Sequence, residues 1–290
     1  MSTLAVSEKG RSLSPSQRSA LVRLLEDDDP GVSAAVQGRI LECGDEALGW
    51  LQPYLLERDP AIRRRVQDLM DQLGRQKADS EFLSFCLNQG EDFDLEEGMW
   101  RLVLTRYPAI NVAAYQALLD EYSSGVAEDL PAGSEAELVL GALNRHLFER
   151  LEFSGNELDY YDPENSYLNR VLDRRVGNPV SLCLIYLLVA RRLRLPVSGI
   201  GMPGHFLCRY QTPKEEYFVD AFNRGRLLTK ADCIRYLVQV SYGYQEGLLS
   251  PASSRRILLR VCSNLHQVYL HRKDREEINR LQRYVVALAR

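Results

Sequence analysis

The chain has 290 residues, of which 45% are hydrophobic and 26% are charged, as in ordinary globular proteins. Its 36 basic and 40 acidic residues give a net charge of -4, so no positive excess drives nucleic-acid binding. No run approaches the roughly 18 apolar residues of a membrane-spanning helix. We therefore expect neither nucleic acid nor a membrane as a partner.

The six cysteines and four histidines are dispersed, and no two cysteines form a CxxC pair. His266 and His271 are five residues apart, a spacing that does not stack them on one helix face. We therefore expect reduced thiols, a cytoplasmic protein, no metal site and no cofactor. The N-terminal segment MSTLAVSEKGRSLSPSQ also lacks the apolar core of a signal peptide.

An internal repeat covers the first part of the chain. The segments LVRLLEDDDPGVSAAVQGRI and LQPYLLERDPAIRRRVQDLM align at an offset of 30 residues, and each contains an Asp-Pro pair. Because proline is tolerated in the first turn of a helix, each pair predicts a helix start. The pattern resembles two short HEAT-like repeats over residues 1–75. They are either a cap on the next domain or a protein-binding surface.

Helical periodicity continues through residues 76–150, which we expect to lead into the core. Asn111 is suited to cap one of these helices. His146 lies within an amphipathic pattern that begins at Glu135, where a structural role is favoured over a ligand role.

A strongly apolar helix is predicted next. Asn178 is a good N-cap residue and Pro179 fits the first helical position, so the helix should run from Pro179 to about Arg194. A helix that is apolar on almost every side is buried. Its N-terminus, the positive end of the dipole, should therefore open into a covered site, where a thiol would have a lowered pKa.

Three short strands are predicted after this helix. They are VSGIG, HFLCRY and YFVDAF, and the last two carry His205 and Asp220. Gly204 allows close backbone approach beside His205. Asn223, Arg224 and Arg226 should form a turn, with Arg226 also a candidate for the rim of a pocket. A buried helix followed by antiparallel strands predicts an α+β core over residues 151–245.

The C-terminal residues 246–290 resemble a single helix–turn–helix unit of the tetratricopeptide kind, with its turn near Lys273-Asp274. One such unit cannot stand alone. We expect it to cap the core, with partner binding as the alternative.

Three segments resemble the transglutaminase-like superfamily, in its bacterial SirB-type branch. They are DYYDPENSYLNRVLDRRVGNPVSL, LLVARRLRLPVSGIGMPGHFLCRY and YFVDAFNRGRLLT. The resemblance implies a papain/transglutaminase-like α+β core flanked by N- and C-terminal helices. It implies that His205 matches the catalytic histidine of active members and Asp220 the acid. Active members carry Gly-x-Cys at the start of the helix, but a gapless count puts Pro179 in the place of that cysteine.

The nucleophilic side chains nearest to that place are Ser181 and Cys183. They lie about 200° apart around the helix, so both cannot face His205. In one interpretation, either of them serves an acyl-transfer or peptide-hydrolysing enzyme with His205 and Asp220. In the favoured one, a degenerate, non-catalytic pocket binds a peptide or small ligand through His205, Asp220 and helix N–H groups, and the protein acts in regulation with a protein or peptide partner. In a third, His205 and Asp220 are a structural pair.

Weaker candidates for ligand binding flank these residues in the sequence. They are Asn178, Gly204, Tyr161, Asn165 and Arg226. Tyr160 and Tyr161 would line the entrance of the site, or else pack within their own loop. No particular oligomeric state is predicted.

Overall fold

The computed structural model describes residues 13–27, 29–130, 134–240, 243 and 245–290. Residues 1–12 lie outside these ranges. They make up most of the N-terminal segment for which no signal-peptide core is predicted. The chain divides into two compact units. One comprises the described residues up to Glu81 together with Leu104–Ile110, and the other comprises Phe82–Val103 and Asn111–Arg290.

The first unit is built from helices. These are α1 (Pro15–Leu24), α2 (Pro30–Leu41), α3 (Asp45–Leu51) and the first part of α4 (Pro60–Asn88), with a 3₁₀ segment at Gln52–Leu56. Both Asp-Pro helix starts are confirmed. Asp29 Oδ1 accepts the N–H of Gly31 at 2.7 Å, and Asp59 Oδ1 accepts that of Ala61 at 2.6 Å. Each carboxylate thus satisfies a donor that a helix start leaves open.

Further helices follow along the chain. They are α5 (Leu95–Leu104), α6 (Val112–Ala127), α7 (Ala136–Asn144), α8 (Leu168–Arg174), α9 (Pro179–Arg192), α10 (Lys230–Gln239), α11 (Ser254–Arg272) and α12 (Arg275–Leu288). Asn111 caps α6 by accepting the N–H of Ala114, as predicted. A π-helical turn, Arg145–Arg150, continues α7. Within the described residues, no helix combines the length and the apolar composition needed to cross a membrane.

The strands form a parallel pair and a four-stranded antiparallel sheet. The pair is β1 (Ser154–Gly155) with β2 (Val176–Gly177), and the sheet has the order β3 (Val197–Met202), β4 (His205–Gln211), β5 (Glu216–Asp220), β6 (Arg226–Leu228). The three predicted strands are confirmed as β3, β4 and β5.

The prediction that Arg226 belongs to a turn is wrong. Arg226 begins β6 and pairs in register with Asp220. The reversal is completed just before it, where Arg224 and Gly225 have φ angles of 53° and 74°. Two successive left-handed residues turn the chain sharply, so the return strand starts at once.

Helix α9 lies at the centre of the second unit. Every residue from Pro179 to Ala190 is buried, and the helix packs against β3, β4 and α6. This confirms the prediction of a helix that is apolar on all sides, and its burial contributes about 1.5–3 kcal/mol for each large aliphatic side chain. The predicted α+β arrangement, a buried helix on a small antiparallel sheet, is likewise confirmed.

The C-terminal helices α11 and α12 form a hairpin. Lys273, with φ 59°, ends α11, and Asp274 caps α12, so the turn lies where it was predicted. Arg255 anchors this hairpin from a buried position by donating to main-chain oxygens. The acceptors are Cys86, Gln89, Ala287 and Leu288.

Candidate functional site

The hairpin between β3 and β4 places His205. Met202 pairs with His205, which leaves a two-residue turn of Pro203 and Gly204. Gly204 has φ +72°, and a Cβ there would lie 3.1 Å from the hydroxyl oxygen of Tyr236. Glycine, which has no Cβ, can adopt this left-handed backbone and leaves room for the hydroxyl group of Tyr236. The turn therefore fixes His205 as the first residue of β4.

His205 meets Asp220, the last residue of the neighbouring strand β5. The separation of His205 Nε2 and Asp220 Oδ2 is 2.9 Å, and the two side chains are 15% and 8% exposed. Asn223 also holds the carboxylate, through its main-chain N–H to Oδ1 at 3.2 Å and its Nδ2 to Oδ2 at 2.8 Å. Since Nε2 contacts the acid, Nδ1 is the ring nitrogen left for a ligand.

The carboxylate of Asp220 is held in its charged form. Burial alone would raise the pKa of Asp220, but the interactions with His205 and Asn223 outweigh burial and lower that pKa below its usual value. The ionised carboxylate can orient the ring of His205 and stabilise a positive charge on it.

A cavity of 570 Å³ opens beside this pair. Its wall is formed by the start of α9, the β3–β4 hairpin, the turn after β5, and α10. Pro179, Gly204 and Arg226 line it together with His205 and Asp220. The volume lies within the range of small-molecule sites, about 300–1,000 Å³.

Ser181 is used inside the fold and does not line the cavity. Its Oγ donates to the main-chain oxygen of Asn165 at 2.6 Å and accepts the N–H of Asn178 at 3.0 Å. The N–H of Ser181 in turn donates to Asn178 Oδ1 at 3.0 Å, which completes a capping box. The hydroxyl is fully buried. No hydrogen bond joins it to His205 in the part of the chain that the structure describes.

Two cysteines, Cys183 and Cys233, lie near the site. Cys183 is fully buried, and its Sγ lies 3.4 Å from the main-chain oxygen of Phe206. Cys233, on α10, does line the cavity. Burial raises the pKa of the Cys233 thiol to about 12, so it is protonated at neutral pH.

Three of the weaker candidates hold the loop that precedes α8 and the start of α9. Asn178 Nδ2 donates to Ser166 Oγ at 2.8 Å, and Asn165 Nδ2 donates to the oxygen of Asp159 at 2.8 Å. Tyr161 stacks on the ring of His271 with centroids 4.3 Å apart. None of Asn178, Asn165 and Tyr161 is among the residues that line the cavity, whereas Tyr160 is.

Sequence reasoning missed the contribution of α10. Thr229 caps this helix by accepting the N–H of Asp232, but Asp232 and Tyr236 were not recognised as part of the site. Both line the cavity, and their four-residue spacing puts them on one helix face. Phe222 was also missed, because it was predicted to end the strand YFVDAF, whereas β5 ends at Asp220 and Phe222 lies in the turn that follows.

A buried helix start beside a His–Asp pair on adjacent antiparallel strands is the arrangement expected of a transglutaminase-like α+β core. A family model described as the Transglutaminase-like superfamily matches residues 113–263, half of the chain, and the chain belongs to this superfamily. The SirB-type, HEAT-like and tetratricopeptide-like assignments stay predictions.

The relatives are bacterial and animal proteins. A UPF0162 protein of Xylella fastidiosa is 41% identical over 170 residues, which is 56% of this chain and 60% of that one. A UPF0162 protein of Pseudomonas aeruginosa is 30% identical over 187 residues, 63% of this chain and 67% of its own. F-box only protein 21 of Mus musculus is 37% identical over 135 residues, 44% of this chain and 21% of its own. No solved structure matches the chain.

Proposed function

We propose that the cavity is a binding pocket with a degenerate catalytic layout, through which the protein binds or regulates a peptide or protein partner. The observation that carries this proposal is Pro179, which lines the cavity beside His205 and Asp220 at the first position of α9. Proline offers no nucleophilic atom. The histidine and its orienting acid are therefore present without the group that they would activate.

The contact between His205 and Asp220 favours the alternative, an acyl-transfer or peptide-hydrolysing enzyme. Such an enzyme would need Ser181 or Cys183 within hydrogen-bond reach of His205. Both side chains are instead engaged with main-chain oxygens. Because rotating either of them toward the cavity would break the capping box or the packing of α9 on β4, we favour binding.

The wall of the cavity is suited to a peptide. It combines convergent polar groups on His205, Asp220 and Asn223 with the aromatic rings of Phe222 and Tyr236. A few placed polar groups among aromatic side chains are typical of ligand sites. Rings supply contact area, while the polar groups can pair with peptide N–H and C=O groups.

The flanking helices support a protein partner. Helices α1–α4, proposed as HEAT-like repeats, and the α11–α12 hairpin, proposed as a tetratricopeptide-like unit, belong to repeat classes that present binding surfaces. We place the protein in the cytoplasm, since its six cysteines are free.

Peptide capture tests this function. The protein would be incubated with a library of short random peptides, and the bound and free pools would be compared by mass spectrometry. We expect a selected bound pool with unchanged masses, and a different or smaller pool for His205→Ala. His266→Ala is the matched control, because His266 lies on α11 and is not among the cavity-lining residues.

Two outcomes would contradict the proposal. One is the absence of any selected pool with the wild-type protein. The other is the appearance of cleaved or acyl-modified peptides with the wild type and not with His205→Ala, which would identify an enzyme.

A further inference from the structure

The carboxylates in the wall of the cavity already have partners. Asp220 contacts His205 and accepts a hydrogen bond from Asn223. Asp232 forms an ion pair with Arg235 on the same helix. Neither carboxylate therefore needs a cationic group of a ligand to balance its charge.

Arg260, on α11, lies next to the cavity and has no carboxylate partner among the residues that the structure describes. Its Nη2 donates to the main-chain oxygens of Met202 at 3.1 Å and His205 at 3.3 Å, at the two ends of the β3–β4 turn. Burial lowers the pKa of Arg260, and the nearby phenols of Tyr160 and Tyr236 partly oppose this. Both tyrosines line the cavity, as do Met202 and His205, whose main-chain oxygens the guanidinium group contacts.

Two other arginines of this unit that are shielded from water have more partners. Arg192 forms ion pairs with Glu96 and Asp120, and Arg255 donates from Nε, Nη1 and Nη2 to main-chain oxygens. Arg260 donates from Nη2 alone, and among the described residues its Nε and Nη1 have no acceptor. Arg260 is half-buried, and its Nε and Nη1 are not enclosed, so they are available to donate to an anion that enters beside the turn.

Arg226 is a second guanidinium without an ion pair in the described ranges. It lines the cavity from the exposed start of β6. The carboxylates of Asp220 and Asp232 are balanced in charge by Arg226 and Arg235. Arg260 therefore adds an excess positive charge to the site.

We propose that the pocket binds its peptide through a carboxylate, for which Arg260 and Arg226 are the cationic partners. Guanidinium groups recognise carboxylates with paired hydrogen bonds. A single excess positive charge suits a carboxylate, whereas Asp220 and Asp232 would repel a doubly charged phosphate. The inference rests on the proposed function and specifies the chemistry of its ligand.

The test uses the full chain and four versions of a short random peptide library. The libraries have a free or an amidated C-terminus, each with or without Asp and Glu. We expect retention to fall about tenfold when the recognised carboxylate is removed, as for loss of a charge-assisted hydrogen bond. Dependence on amidation would identify a C-terminal carboxylate, and dependence on Asp and Glu would identify an acidic side chain.

Substitutions of the two arginines test whether they cause the preference for peptides with a carboxylate. Arg226→Gln, at an exposed position, should weaken the preference without unfolding the chain. Arg260→Gln should abolish it, while Arg260→Lys, which keeps the charge, should retain part of it. Arg256→Gln, an exposed neighbour on α11, should leave it unchanged.

The outcomes separate this inference from the function on which it rests. Equal retention of all four libraries would overturn the carboxylate proposal and leave a binding pocket in place. The carboxylate proposal would also be overturned if the preference kept its full strength in all three arginine variants. These are Arg226→Gln, Arg260→Lys and a folded Arg260→Gln protein. Retention of none of the libraries would overturn both proposals.

Discussion

Replacing Pro179 with cysteine should give the protein a strongly reactive thiol. The new side chain would lie in the cavity with His205 and Asp220, at the start of a buried helix. A thiol beside a histidine at a helix N-terminus has a pKa of about 3.5–7.5, against about 8.5 for a free cysteine. In mildly acidic buffer we therefore expect alkylation by iodoacetamide about 10–100 times faster than that of an ordinary thiol.

Pro15→Cys provides the matched comparison. Pro15 is also the first residue of a helix with a capping box, α1, but it is exposed. Adding His205→Ala to Pro179→Cys should return the rate to that of Pro15→Cys. Loss of proline costs up to about 1 kcal/mol of stability through the unfolded chain, so folding should be preserved. If the folded Pro179→Cys protein reacts no faster than Pro15→Cys, position 179 is not the nucleophile's place.

Gly225→Ala should destabilise the second unit and disrupt the site. Gly225 has φ +74°, and an added Cβ would lie 2.6 Å from the side chains of Asn144 and Phe148. Its N–H also donates to the main-chain oxygen of Asp220 at 2.8 Å. Left-handed strain and overpacking together should lower the free energy of unfolding by about 2–5 kcal/mol, measured in urea.

Gly243→Ala separates the two causes. Gly243 has φ +66° but no atom within 4 Å of an added Cβ. The Gly243→Ala protein should lose only about 1–2 kcal/mol of unfolding free energy, because of backbone strain. The Gly225 variant should also lose peptide capture, since its turn carries Asp220 and Asn223. Equal stability of the two variants would contradict this explanation. It would show that the side chains of Asn144 and Phe148 move aside without loss of stability.

The elements that could be predicted have local signals. Asn178 and Pro179 mark the start of α9, and the apolar run after them indicates its burial. Alternation in β4 and β5 indicates neighbouring strands, which is enough to bring His205 toward Asp220. The α+β core follows from these segments alone.

What could not be predicted depends on contacts between distant residues. The orientation of Ser181 is set by the main-chain oxygen of Asn165, which belongs to a loop before α8. The position of Arg260 depends on how α11 packs under the β3–β4 hairpin. The start of β6 depends on a left-handed Arg224, which the residue type does not signal.

The proposal that the natural chain has no activated nucleophile is tested most directly by labelling. The wild-type protein and His205→Ala would be treated with cysteine- and serine-directed electrophiles, and the modified peptides would be quantified by mass spectrometry. We predict slow modification of Ser181, Cys183 and Cys233 that is equal in the two proteins. Fast modification of any of the three in the wild type, lost in His205→Ala, would contradict a degenerate site and identify the nucleophile of an enzyme.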